Sequence, residues 1–164
     1  VMFAPQYSLV LGVPDEAMAG LYSSFDVLTS VSMGEGFGLP ILEAQACGCP
    51  VIVGDWTSMP ELCFSGWKVD KKDADPFWTP LAAFQFVPRV APIAEAMELA
   101  YQMRGNTDYR ERARSGAREY DADRVMEKYW KPALAKIEAK VALTRPIETE
   151  STKVVPGQPE RGTP

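Results

Sequence analysis

One stretch of nine residues decides the fold of this chain: Glu35-Gly36-Phe37-Gly38-Leu39-Pro40-Ile41-Leu42-Glu43. It places one carboxylate before a glycine-bounded turn and a second carboxylate inside the helix that follows. Pro40 has no amide hydrogen and its φ suits the first helical position, so Leu39 is the expected N-cap. The helix should run to Cys47, and Gly48 should end it as a C-terminal glycine.

A helix start of this kind favours an anion, because its first amides lack intrahelical partners and the helix dipole is positive there. Four amides are expected to point outwards, those of Gly38, Leu39, Ile41 and Leu42. Glu43 lies about one turn further on, roughly 5–6 Å along the axis, which is the distance from a phosphate to an adjoining ribose. Glu35 lies on the other side of the amides, where a group on the outer phosphate would project. Sugar, diphosphate and ribose in a row is the layout of a nucleotide sugar.

Strands and helices alternate around this stretch. Helical periodicity covers residues 15–24. Strands are expected at residues 8–12, 26–31, 51–53 and 67–69. The strand at 51–53 is short and wholly apolar, which is typical of a buried parallel sheet. The sequence therefore predicts an α/β fold with a parallel sheet flanked by helices, and it places the glycine loop at the carboxyl end of a strand, where open α/β sheets bind ligands.

The second half of the chain is less regular at first and then helical. Residues 70–89 hold three prolines and four aromatics, which favours an ordered flap or contact surface, with simple packing onto the domain as the alternative. Helices are expected at residues 91–104, 108–120 and 122–143. Pro132 should kink the last helix. Residues 144–164 are rich in proline and poor in apolar side chains, so they should be disordered.

Composition excludes several classes of protein. The chain has 164 residues, no histidine and three cysteines, with a net charge of −5. Without histidine, Ser-His and Cys-His nucleophilic schemes are excluded. There is no apolar run long enough for a membrane span, no secretory signal and no nucleic-acid-binding signature. The cysteines are expected to be small buried residues in a reducing compartment, which favours a cytoplasmic location. The two Asp-x-Asp pairs, at residues 73–75 and 121–123, are expected to be structural, and no metal site is predicted.

Charge is unevenly distributed along the chain. Residues 1–100 contain twelve acids and four bases, a net of −8, whereas residues 101–140 contain seven acids and ten bases, a net of +3. No Lys or Arg occurs before Lys68. A diphosphate site normally recruits such cations besides backbone amides. We therefore expect the missing cations to come from sequence upstream of Val1.

The run Ser32-Met33-Gly34-Glu35-Gly36-Phe37-Gly38-Leu39-Pro40-Ile41-Leu42-Glu43-Ala44, continued by Ala46-Cys47-Gly48-Cys49-Pro50-Val51-Ile52, closely resembles the signature of retaining GT-B glycosyltransferases of family 4. A glutamate in the first turn of a helix is common in any α/β domain, because acids there favour the dipole. The Gly-Phe-Gly core and the following Cys-Gly-x-Pro-Val-Ile make the resemblance specific. It extends more loosely through the helices to about Tyr129.

The resemblance implies a role for each residue of the stretch. Glu35 would be the catalytic-site residue that contacts donor-sugar hydroxyls, and Glu43 would hold the ribose hydroxyls. The expected substrate-binding loop is Gly36, Phe37, Gly38 and Leu39, whose amides from residue 37 onwards would face the diphosphate and sugar. The family transfers a sugar with retention, without a metal and with the nucleotide sugar as donor in place of any cofactor.

The resemblance also implies a domain organisation. Residues 1–120 would be a partial Rossmann-like nucleotide-sugar-binding domain, and residues 121–143 the closing helix that crosses to an N-terminal GT-B domain missing from this sequence. The family's Arg and Lys at the diphosphate have no counterpart here. The chain alone is therefore expected to bind donor weakly and to transfer nothing.

Two other functions stay open on the sequence. The chain could be a non-catalytic nucleotide-binding or interaction module on the same fold. It could also be a sugar-nucleotide epimerase, although such enzymes use other acid–base residues and lack this Gly-Phe-Gly core. The donor base, the sugar and the acceptor are not specified by any residue of the sequence.

Overall fold

The structure is a computed structural model that describes residues 12–144. Five elements build its first part: helix α1 (Asp15–Ser24), strand β1 (Leu28–Ser30), helix α2 (Leu39–Ala46), strand β2 (Val51–Gly54) and strand β3 (Gly66–Val69). The strands form a parallel sheet in the order β1-β2-β3. This confirms the predicted α/β class, a Rossmann-like parallel sheet flanked by helices. The expected strand at residues 8–12 lies outside the described residues except for Gly12.

The core lies between the sheet and its helices. All four residues of β2 are buried, as expected for a strand with neighbours on both sides. From α2, Ile41 and Ala44 are completely buried against this sheet, together with the polar side chain of Gln45. The predicted helix at residues 15–24 and the short apolar strand are therefore confirmed, while the strand expected at 26–31 is shorter.

The predicted N-cap of α2 is wrong by one residue. Gly38 is the N-cap, with φ 101° and ψ 53°, and Leu39 is the first helical residue. The left-handed conformation at Gly38 is one that glycine adopts without steric cost, so the chain turns into the helix earlier than the Pro40 rule implies. Gly48 ends the helix as predicted: it also has a positive φ, 80°, and its amide donates to the Gln45 carbonyl.

Residues 70–89 are ordered and contain a β-hairpin. The sequence predicted that this segment is ordered but did not predict its strands. A 3₁₀ turn (Lys71–Asp73) leads into β4 (Ala74–Trp78), which pairs antiparallel with β5 (Phe84–Pro88). The Phe86 amide donates to the Met33 carbonyl at 2.9 Å. The Phe86 ring also packs on Trp56, with ring centroids 5.8 Å apart. The hairpin therefore packs onto the domain beside the glycine loop.

Helices form the rest of the described chain. Helix α3 (Val90–Gln102) is followed by α4 (Thr107–Ala117), whose N-cap Asn106 accepts hydrogen bonds from the Asp108 and Tyr109 amides. A 3₁₀ turn (Arg118–Tyr120) and the short helix α5 (Ala122–Val125) follow. The helices expected at 91–104 and 108–120 are thus present, although the last turn of the second one is 3₁₀.

The chain divides into two compact units, Val1–Val125 and Met126–Pro164. The described part of the second unit is a π-helical segment (Met126–Trp130) and helix α6 (Lys131–Thr144). Pro132 has no amide hydrogen to donate to the carbonyl four residues earlier. The change from π-helical to α-helical hydrogen bonding lies directly before it, between Trp130 and Lys131. Three apolar side chains of this unit are exposed, those of Tyr129 in the π-helical segment and of Leu134 and Ile137 in α6. No helix within residues 12–144 is long and apolar enough to cross a membrane.

Candidate functional site

The glycine loop lies where three segments meet, each following the carboxyl end of a parallel strand. The loop after β1 is held by the segment after β2: the Glu35 amide donates to Thr57 Oγ1 at 3.1 Å. The Ser58 hydroxyl lies 3.0 Å from the Glu35 carbonyl and 2.8 Å from the Phe37 carbonyl. The hairpin after β3 contacts the loop at Met33. The backbone around Glu35 is therefore fixed by the fold, at the edge of the sheet that the sequence predicted.

The amides at the start of α2 differ in part from the prediction. The Ile41 and Leu42 amides were expected to be free, but both donate to the Gly38 carbonyl, at 3.0 and 3.3 Å. The reason is the shifted cap, because a helix that starts at Gly38 uses that carbonyl as its first acceptor. Within the part of the chain that the structure describes, the amides of residues 36–39 donate no hydrogen bond. Four consecutive amides of the loop itself are thus without an acceptor in the described part of the chain; Gly36, Phe37 and Leu39 are exposed residues and Gly38 is buried.

The Glu35 side chain stands at one end of this row of amides. It is half-buried, and within residues 12–144 its carboxylate accepts no hydrogen bond. Next to it, the Phe37 side chain is 43% exposed and packs edge-on against Tyr120, with ring centroids 5.9 Å apart. Tyr120 lies directly after α4, so this aromatic contact ties the loop to the second half of the domain.

Glu43 stands at the other end, on the outer face of α2. It is exposed, and its Oε2 accepts a hydrogen bond from the Tyr22 hydroxyl of α1 at 3.2 Å. Burial, and after it the charge of Glu43, raises the pKa of Tyr22 above its ordinary value, so the tyrosine stays protonated and acts as the donor. The sequence analysis did not assign Tyr22 to the site. The packing of α1 against α2 brings it there.

Two grooves border Glu43. The first runs between α1 and α2, where Met18, Tyr22 and Ala46 line it. The second lies between α2 and the C-terminal end of α4, where Arg114 and Arg118 line it. Glu43 therefore faces apolar surface and a tyrosine hydroxyl on one side, and arginines on the other.

Three arginines in α4 or directly after it, Arg110, Arg114 and Arg118, were not connected with the site by the sequence analysis. Arg110 has a structural role: its guanidinium donates to the Phe25 carbonyl at 2.9 Å and pairs with Asp26 at 3.7 Å. Arg114 reaches the Cys47 carbonyl at 3.5 Å, and Arg118 is exposed at the groove. About seventy positions separate Arg114 and Arg118 from Glu43 in sequence, which is why only the packing of α4 on α2 shows that they share a groove with it.

The two Asp-x-Asp pairs have local partners, in line with their structural reading. Asp75 pairs with Arg89 at 2.6 Å, and this hydrogen bond lowers the pKa of the carboxyl. Asp121 accepts hydrogen bonds from the amides of Asp123 and Arg124, as a cap at the start of α5. Among residues 12–144, no three His, Cys, Asp or Glu side chains are placed to hold a metal ion.

The three cysteines are free thiols in the structure. Cys49 is fully buried, and burial raises its pKa to about 11, while Cys47 and Cys63 are half-buried. A thiol with a raised pKa is a poor nucleophile at neutral pH. The expectation of buried cysteines is therefore correct for Cys49 and only in part for the other two.

Comparison with known proteins places this site in a family. Residues 4–83, which include the whole glycine loop and α2, match the family model described as Glycosyl transferases group 1. Over this segment the chain is similar to group 1 glycosyltransferases, of the family 4 type that its signature resembles. The predicted resemblance is thereby confirmed.

Individual relatives agree with the family match over short segments. The chain is 45% identical to O-antigen chain mannosyltransferase B of Escherichia coli over 64 residues, 38% of this chain and 17% of the relative. It is 49% identical to D-inositol 3-phosphate glycosyltransferase of Corynebacterium jeikeium over 39 residues, 24% of this chain and 9% of the relative. It is 39% identical to MMP alpha-(1->4)-mannosyltransferase of Mycolicibacterium hassiacum over 51 residues, 31% and 12% of the two chains. The matched segment thus spans less than a fifth of these curated relatives.

Proposed function

We propose that this chain is the donor-binding part of a retaining glycosyltransferase, which moves a sugar from a nucleotide sugar to an acceptor. The observation that carries the proposal is the row of four amides at residues 36–39, which have no hydrogen-bond acceptor among residues 12–144, between two carboxylates, Glu35 and Glu43. Backbone amides in a glycine loop at a helix start suit a diphosphate, because they offer several donors without a side chain in the way. The family match over the same residues supports this assignment.

Each carboxylate takes the role that its place along the row favours. Glu43 is the fifth residue of α2, about 6 Å along the helix axis from the first, so it is at the distance of a ribose from a phosphate bound at the amides. Glu35 is at the opposite end, where the transferred sugar is attached to the outer phosphate. A carboxylate is a strong acceptor for the hydroxyl pairs of both sugars.

The names of the relatives guide the choice of donor. Two of the three are named as mannosyltransferases, so a mannosyl donor is the first to test. The free thiols fit a reducing compartment, and a cytoplasmic location is part of this proposal.

The proposal includes a second domain that supplies the acceptor site and the cations at the diphosphate. It is supported by the small share of each relative that the chain matches, and by the absence of any Lys or Arg before Lys68 in the sequence. We expect the 164-residue chain alone to bind donor weakly and to transfer no sugar, because the amides alone do not neutralise the leaving diphosphate.

The test is a calorimetric screen of UDP-, GDP- and ADP-sugars, followed by assays of transfer and of donor hydrolysis, on the isolated chain and on the complete protein that carries it. Weak or absent binding to the isolated chain, with clear binding and turnover by the complete protein, is the expected result. Clear turnover by the monomeric 164-residue chain would contradict the need for a second domain. Absence of binding by the complete protein to every nucleotide sugar would contradict the proposed function itself.

A further inference from the structure

The carboxylate of Glu43 is held by a side chain from a different helix. The Tyr22 hydroxyl donates to Glu43 Oε2 at 3.2 Å across the groove between α1 and α2. The tyrosine is only 7% exposed, and its ring packs edge-on against Phe25 with centroids 6.2 Å apart. A buried ring that packs on Phe25 thus presents its one polar atom to an exposed acid.

We propose that Tyr22 is a positioning residue for nucleotide binding: it fixes the Glu43 carboxylate in the orientation that accepts the ribose hydroxyls. The inference rests on the proposed function, because it acts through the contact between Glu43 and ribose. Of the two carboxylate oxygens, Oε2 takes the tyrosine hydrogen. Within residues 12–144, Oε1 has no hydrogen-bond partner and stays available to a ligand. The tyrosine therefore leaves an acceptor for the ribose.

The physical gain is preorganisation. An exposed glutamate on a helix samples several rotamers, and a ligand that needs one of them must order the side chain when it binds. With Tyr22 in place, that entropy is lost on folding instead. The groove that the two side chains share is otherwise lined by small or apolar groups such as Met18 and Ala46 and by the carboxylate of Asp15, so within residues 12–144 no cationic side chain lines it and competes with Tyr22 for Glu43.

The environment of Tyr22 keeps its hydroxyl protonated, so the tyrosine is the donor in this hydrogen bond. Burial is the main cause that raises the pKa of Tyr22, and the negative charge of Glu43 adds to it. The hydroxyl therefore keeps its hydrogen throughout the neutral pH range. A phenylalanine at this position would keep the ring and its contact with Phe25 and would remove the hydrogen bond alone.

The test compares Tyr22→Phe with the wild type in the complete protein. Affinities are measured by calorimetry for UDP, GDP and ADP and for their 2′,3′-dideoxy counterparts, which lack the ribose hydroxyls. We expect Tyr22→Phe to bind the ribose form of the preferred nucleotide roughly three- to tenfold more weakly, which is the usual weight of one hydrogen bond. Affinity for the dideoxy form should not change. The ratio of the two affinities is a readout that a merely structural role would not move.

Matched variants separate the outcomes. Tyr109→Phe is the control, because this ring stacks on Trp67 and, within residues 12–144, its hydroxyl makes no hydrogen bond; it should keep the full ribose preference. An equal loss for ribose and dideoxy forms in Tyr22→Phe would overturn the inference. So would an unchanged ribose preference in Tyr22→Phe when Glu43→Gln has lost it, and that result would leave the proposed function standing. A wild type that binds both forms equally would overturn the ribose role of Glu43, and the inference with it.

Discussion

Replacement of Gly66 by alanine should unfold most of the domain at ordinary temperature. Gly66 opens β3 opposite Val51 of the central strand, with φ 143°. A Cβ at this position would lie 1.8 Å from the Val51 carbonyl oxygen and 2.7 Å from its amide nitrogen. Both neighbours are backbone atoms of the buried strand β2, so neither can move aside without breaking the sheet. The expected loss is more than about 4 kcal/mol, in the range that marks a disrupted core.

Denaturant unfolding, followed by circular dichroism, measures this loss. Gly20→Ala is the matched control, because Gly20 lies inside α1 and, among residues 12–144, no atom beyond its chain neighbours and its own helix backbone lies within 4 Å of a Cβ built there. Alanine is the better helix former, so the control should gain roughly 0.5–1 kcal/mol. A Gly66→Ala variant whose stability falls within about 1 kcal/mol of the wild type would show that the register of β2 and β3 is not as described.

Replacement of Glu35 by alanine should lower sugar transfer by roughly ten- to hundredfold in the complete protein, the weight of one hydrogen bond to a charged group. Affinity for the free nucleoside diphosphate should stay within about twofold, because that ligand has no sugar for Glu35 to contact. The fold itself should tolerate the change, since within residues 12–144 the carboxylate holds no other group. Turnover with the preferred nucleotide sugar and calorimetry with the nucleoside diphosphate are the two measurements.

Ser58→Ala provides the comparison for Glu35→Ala. The Ser58 hydroxyl supports the carbonyls of Glu35 and Phe37, so its loss should loosen the loop and reduce turnover and nucleotide affinity together. If Glu35→Ala behaves in the same way, with both quantities falling equally, Glu35 shapes the loop and does not contact the sugar.

The local parts of the fold could be predicted from the sequence. The helix Asp15–Ser24 and the glycine that ends α2 follow from short-range patterns, periodicity in one case and a backbone preference in the other. The N-cap of α2 was predicted at Leu39 instead of Gly38 because two local rules gave different helix starts. The preference of proline for the first helical position points to a start at Pro40, whereas the left-handed conformation of Gly38 starts the helix one residue earlier. The glycine conformation determines where the helix begins.

The long-range parts could not be predicted. Gln45 is polar yet completely buried, because its amide group bridges the Ile41 and Leu62 carbonyls and the Phe64 and Ser65 amides. Three of these four partners lie 17–20 positions away in sequence, so no local pattern predicts them. The same holds for Tyr22, which donates to Glu43, and for Arg114 and Arg118, which line a groove together with Glu43. The hairpin at residues 74–88 was not predicted beyond an ordered segment, because proline is unusual inside strands and yet Pro76 and Pro88 both lie in paired ones.

The central claim is that the row between Glu35 and Glu43 binds a nucleotide sugar, and the affinity of Glu43→Gln for the nucleoside diphosphate tests it most directly. Calorimetry on the complete protein should show binding weakened by roughly 1–3 kcal/mol, because a charged acceptor for the ribose hydroxyls becomes a neutral amide. Glu95→Gln, which removes the same charge from an exposed site on α3, should bind like the wild type. Equal affinity of Glu43→Gln and the wild type would contradict the account.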